Sequence, residues 1–141
     1  MIKRVRSDEL YIGRLPHGVD LLDEITAVCI RLEIRLGRIE ALGAVEHARL
    51  AYYDQHGRTY NYFTLVQPLE ITKLVGNVSL RDGWPVVHAH ITLADETGRA
   101  YGGHLAQGTK VFACEYIIET FDGPALEREY DEITGLPLWS D

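Results

Sequence analysis

The sequence predicts an α+β fold: a mostly antiparallel sheet, or an open barrel, of about seven strands with one main helix packed on it. Three observations lead there. Apolar residues recur at helical spacing in one segment, Leu21, Leu22, Ile25, Val28, Cys29 and Leu32. Elsewhere they alternate or run in short stretches rich in Val, Ile, Tyr and Phe. Short Gly-, Asp- and Pro-containing turns join those stretches, which suits neighbouring antiparallel strands. A length of 141 residues fits a single domain, 1–141, with a polar tail from about residue 122.

In chain order, Ile2–Leu15 reads as a strand, or two strands, broken near Ser7-Asp8, and Pro16-His17-Gly18 ends it. The helix is expected over Val19–Glu33. Asp20, Asp23 and Glu24 sit in its first turns and Arg31 and Arg35 near its end, each where the helix dipole favours that charge. After Gly37 an extended run reaches Asp54, with Gly43 as a bulge. Gln55-His56-Gly57-Arg58 is a hairpin loop and Tyr60–Val66 the return strand. Glu70–Leu80, Val86–Ala94, Ala100–Leu105 and Thr109–Thr120 are further strands, with a turn at Arg81-Asp82-Gly83. Leu136, Leu138 and Trp139 suggest that the tail docks on the body or on a neighbour.

The formal net charge of −7 opposes non-specific binding to nucleic acid or anionic membrane, which needs clustered Lys and Arg. The densest basic sets are Lys3, Arg4, Arg6 and Arg14, then Arg31, Arg35 and Arg38. Neither is interleaved with aromatics, and both read as solvated faces. Cys29 and Cys114 lie far apart in apolar runs and read as buried free thiols, which fits a reducing compartment. The N-terminal stretch has no apolar core of the signal-peptide type, and no apolar run is long enough to span a bilayer. The expected location is the cytoplasm.

The most chemically loaded feature is His88-x-His90. Val87, Ala89, Ile91 and Leu93 form one face of this strand; His88, His90 and Thr92 share the other. The turn after it places a third histidine. A three-residue loop Glu96-Thr97-Gly98, with Gly98 left-handed, pairs Asp95 with Arg99. Counting back sets Gly102 opposite Thr92 and His104 opposite His90. A four-residue loop would slip the register and turn His104 away. Three neutral imidazoles with an open position suit zinc or another borderline divalent metal. From spacing alone, histidines on the wet face of a half-exposed sheet fit equally well. Glu115 is the one charge within Val111–Ile118, and so a catalytic candidate: a metal ligand, a partner for an imidazole, or a general base. A strand residue facing solvent or an inter-subunit cleft is the competing reading.

Several segments together carry a resemblance. They are 37–45 (GRIEALGAV), 50–54 (LAYYD), Glu70-Ile71, 74–78 (LVGNV), 87–90 (VHAH), and 102–105 (GGHL) followed by Gly108 and Glu115. The chain resembles the PPC (plants and prokaryotes conserved) domain family, from the helix to about Arg128. The resemblance implies an α+β sheet fold, a homotrimer, and a stand-alone module of the type labelled DNA-binding or transcription-related. In plants the domain follows an AT-hook. No Arg-Gly-Arg-Pro core is present here, and the acidic balance opposes direct DNA binding. The family's fold is also similar to that of acetolactate decarboxylase, where His-x-His and a later histidine hold zinc; His88, His90 and His104 match that arrangement. The alternative function is a small metal-dependent enzyme or small-molecule binder that uses those three residues.

Overall fold

The computed structural model describes residues 1–140. The described residues form nine strands and one helix: β1 (Arg6–Leu15), α1 (Leu21–Arg31), β2 (Gly37–Asp54), β3 (Thr59–Leu65), β4 (Leu69–Arg81), β5 (Trp84–Ala94), β6 (Ala100–Leu105), β7 (Lys110–Asp122), β8 (Arg128–Asp131) and β9 (Leu136–Trp139). Strand accounts for 63% and helix for 8%. The α+β class expected from sequence is therefore corrected to a sheet-dominated, mostly β fold.

The physical reason lies in how the sheet buries its apolar face. β2 is 18 residues long and serves several neighbours. Its first half pairs with β4 on one side and β7 on the other; its second half pairs with β3 and, at Leu50 and Ala51, with β6. Because β4, β5 and β6 follow in order, the path β2–β4–β5–β6 returns to β2 and closes on itself, and every pairing in it is antiparallel. Ile39, Leu50, Leu74, Ile91, Leu93 and Leu105 are buried within this curled sheet. Much of the core is thus sheet against sheet, and a single 11-residue helix is enough to cover the rest.

That helix packs mainly on β5 through Leu21, Ile25, Val28 and Cys29. Asp20 caps it, accepting from Asp23 N–H at 2.9 Å. The second Asp20 oxygen accepts from the N–H groups of Gly108 and Thr109 at 2.6 and 3.1 Å, which ties the helix start to the β6–β7 turn. Leu32 caps the other end and Glu33, at φ 54, turns the chain away.

The expected break in β1 is present as a register shift between Ser7 and Leu10. The expected bulge at Gly43 is also present, as a shift between Ala41 and Gly43 on the β4 side. The tail forms two strands that the sequence did not announce. It docks on β4: Leu80 N–H donates to Leu126 O at 2.8 Å, and Leu126 is buried.

Gly43 has φ 145, and a Cβ there would lie 2.1 Å from the Ala113 carbonyl oxygen. Gly98 has φ 81 but open space around it. Gly43→Val is expected to destabilise the fold by about 3 kcal/mol or more, seen as a lower urea midpoint of unfolding, because backbone must move. Gly98→Ala is expected to cost only about 1 kcal/mol, the left-handed penalty alone. Equal effects of the two changes would refute the role given to the β2 bend.

Candidate metal centre

β5 alternates as its sequence implies. Ala89, Ile91 and Leu93 are buried, while His88 is half-buried and His90 exposed on the opposite face. The three-residue turn forms: Gly98 N–H donates to Asp95 O at 2.9 Å, and Asp95 N–H to Arg99 O at 3.1 Å. Asp95 holds this turn through Oδ1, which accepts from Thr97 and Arg99 N–H and from the Thr97 hydroxyl. These bonds, with one from Tyr101, lower its pKa to about 2, so the clasp stays ionised. The register that follows sets His104 opposite His90 and Gly102 opposite Thr92. His104 also faces Ala51, where β6 meets β2.

The three imidazoles converge. Ring centroids lie 5.3 Å apart for His88 and His90, 5.0 Å for His88 and His104, and 5.5 Å for His90 and His104. One nitrogen from each lies within 4.8 Å of the others, so the set can hold a metal ion; it is the one such cluster among the described residues. The chemistry of the set fits a metal. His104 Nδ1 is buried with no hydrogen-bond partner, a costly state that a metal bond would relieve.

Electrostatics favour bare lone pairs. The His88 pKa is pushed down to about 4, first by burial, then by repulsion from His104, Arg128 and His90. His104 is lowered by burial, His90 and Arg128. Metal ligation needs neutral imidazole, and neither residue has to shed a proton at neutral pH.

Spacing did not reveal two neighbours. Tyr60 on β3 stacks on His104 with centroids 4.9 Å apart, and burial raises its pKa, so its hydroxyl stays protonated. Arg128 on β8 reaches in from the tail. Its Nε donates to Ser79 Oγ at 2.8 Å, Nη2 to Asn77 Oδ1 at 2.7 Å, and Nη1 to Pro137 O at 3.0 Å. His88, His104, Tyr60 and Arg128 line a cavity of about 250 Å³. No local motif links residue 128 to residue 88; the one hint in the sequence is an arginine ahead of the apolar Leu136, Leu138 and Trp139.

Glu115 is not part of this cluster. It is exposed on β7, opposite Leu42 of β2 and Arg14 of β1, and borders a separate cavity of about 610 Å³ with Ile12, Leu42 and Ile117. Cys29 and Cys114 are buried free thiols. Burial pushes them up to about 12 and about 11, which removes thiolate chemistry near neutral pH.

In the unfolded chain His88 takes up a proton near 6.5, whereas in the folded protein it does so only near 4. The stability carried by neutral His88 is complete above pH 6.5 and is lost as pH falls towards 4. In metal-free protein, the His88 ring is expected to titrate by NMR with a midpoint of about 4. Arg128→Gln removes a neighbouring cation and should raise that midpoint in part, since burial remains. A wild-type midpoint at the ordinary imidazole value would contradict the described environment.

Among solved structures, the chain is 39% identical to a metal-containing protein from Archaeoglobus fulgidus, with TM-score 0.95, covering 100% of this chain and 99% of that one. It is 33% identical to a plant- and prokaryote-conserved protein from Pyrococcus horikoshii, with TM-score 0.92 and coverage of 98% and 95%. Chains of this fold from Bacteroides thetaiotaomicron and Ralstonia eutropha carry provisional assignments as DNA-binding proteins. Acetolactate decarboxylase from Bacillus subtilis shares the fold alone, at TM-score 0.54 and 13% identity. Among curated proteins, the bifunctional protein GlmU of a Synechococcus strain is 32% identical over 144 residues, which is 93% of this chain but only 22% of that protein. The model of the Plants and Prokaryotes Conserved (PCC) domain matches residues 3–122, and the chain belongs to that family.

Proposed function

We propose that this chain is a metal-binding module that works as a homotrimer, with His88, His90 and His104 holding one divalent ion, zinc by preference. The observation that carries this reading is the convergence of three imidazole nitrogens, one of them buried and unpartnered. The 39%-identical relative is a metal-containing protein, which supports the same assignment. Three nitrogen ligands suit zinc, and they leave a position for water or a ligand. Bound there, the ion would supply Lewis acidity. That open position, beside a cavity, favours a second reading as a small metal-dependent enzyme.

Self-association is supported by the outer face of β1, β7 and β2, which are neighbours in the sheet. Ile12 is 78% exposed and lies opposite Ile117; Leu10 and Leu42 are also exposed. Apolar side chains grouped in this way, beside the 610 Å³ cavity, mark an interaction surface. Direct DNA binding is the weaker role, because a chain of net charge −7 repels phosphate.

Untagged protein dialysed against zinc is expected to retain about one ion per chain by mass spectrometry, and His88→Ala or His104→Ala should retain less than about a tenth of that, since each removes one of only three ligands. Zinc content near zero in the wild type, or unchanged in the variants, would sink the site. Ile117→Asp should shift the molar mass by light scattering from trimer towards monomer while leaving zinc content intact. An unchanged mass would remove this face as the interface.

A further inference from the structure

Arg128 is the unusual charge in the cavity beside the histidines. It is half-buried, and among the described residues it has no carboxylate within ion-pair distance. A half-buried cation beside three imidazoles is costly; the Trp139 ring, whose centroid lies 5.7 Å from the guanidinium carbon, offsets this in part, and a negative partner would offset more. Its three protein hydrogen bonds go to a hydroxyl, an amide oxygen and a backbone carbonyl, all neutral. A guanidinium has five N–H groups, so two remain to donate. The three contacts hold the plane fixed, which suits a forked approach by a carboxylate. Exposed Arg81 adds a second positive charge at the same cavity.

The rest of the wall is apolar. Val86 lines one side, on the same strand face as His88, and Leu136 and Leu138 another. At about 250 Å³ the space falls below the usual range for drug-sized ligands. We propose that this cavity binds a short-chain aliphatic carboxylate, its head on Arg128 beside the histidine cluster and its chain against Val86, Leu136 and Leu138. Contact between the carboxylate and a metal rests on the metal-binding reading above; the Arg128 contact does not.

The test uses full-length protein, metal-free and zinc-loaded, titrated with sodium butyrate, acetate, inorganic phosphate and neutral 1-butanol, and followed by NMR at Tyr60, Val86 and Leu136. Zinc content is measured in parallel, so that failure of the metal site is seen separately. Butyrate is expected to give saturable shifts in both forms, tighter with zinc, and to bind about tenfold better than acetate or butanol. Arg128→Gln should weaken butyrate about tenfold or more at unchanged zinc content. Arg128→Lys, which keeps the charge and loses the fork, should fall between. The ligand series in wild-type protein decides the matter even if a variant fails to fold. Absence of saturable butyrate shifts in both forms overturns the proposal. So does phosphate or butanol binding as well as butyrate, or undiminished binding by a folded Arg128→Gln.

Discussion

The structure depends on the bend in β2. One strand pairs with β4 and β7 along its first half and with β3 and β6 along its second. A straight strand of that length could not meet β4 and, at its other end, β6 of the same meander. The register of β2 shifts between Ala41 and His47, beginning at Gly43, and such irregularities bend a strand. The Ala113 carbonyl sits where a side chain at residue 43 would begin, so the close packing of β7 on β2 relies on the missing Cβ. Curling the sheet at this point lets it bury its own apolar face, which leaves little for helices to cover.

The same closure positions the three histidines. His88 and His90 lie on a strand whose other face is anchored by Ala89, Ile91 and Leu93, all almost fully buried. His104 is held from both sides, by His90 of β5 and by Ala51 of β2. Gly103 lets β2 come close: a Cβ there would be 3.0 Å from the Ala51 carbonyl oxygen. The glycine pair before His104 therefore serves backbone approach within the sheet. Rigid strands on both sides fix the three rings without hydrogen bonds of their own, and the partnerless His104 Nδ1 is the result.

Charge then divides the molecule into two surfaces with different chemistry. Around the histidines, burial and Arg128 make protonation unfavourable, so this pocket suits cations that bind through lone pairs and anions that pair with the guanidinium. On the outer face of β1, β7 and β2, apolar residues stand beside Glu40, Lys73 and Glu115. Glu115 is exposed there, on a strand face turned to solvent in the single chain. Lys73 donates to Glu40 at 2.6 Å there and keeps that carboxyl below its usual range.

What the sequence determined by itself was local. The alternation around His88 and His90 and the Asp95–Arg99 turn depend on residues within a few positions of each other, and those patterns by themselves place His104 opposite His90, as the register has it. The helical periodicity of Leu21–Leu32 and the bulge at Gly43 were legible for the same reason. Tertiary structure alone decided the closure of β6 onto β2 and, with it, the mostly β character of the fold. It also decided which distant groups share the histidine pocket. Tyr60 and Arg128 lie 44 and 24 residues from His104 and reach it only through the β2–β3 hairpin and the docked tail. Periodicity reports which face a side chain takes on its own element; it carries no information about which other element will come to rest against that face.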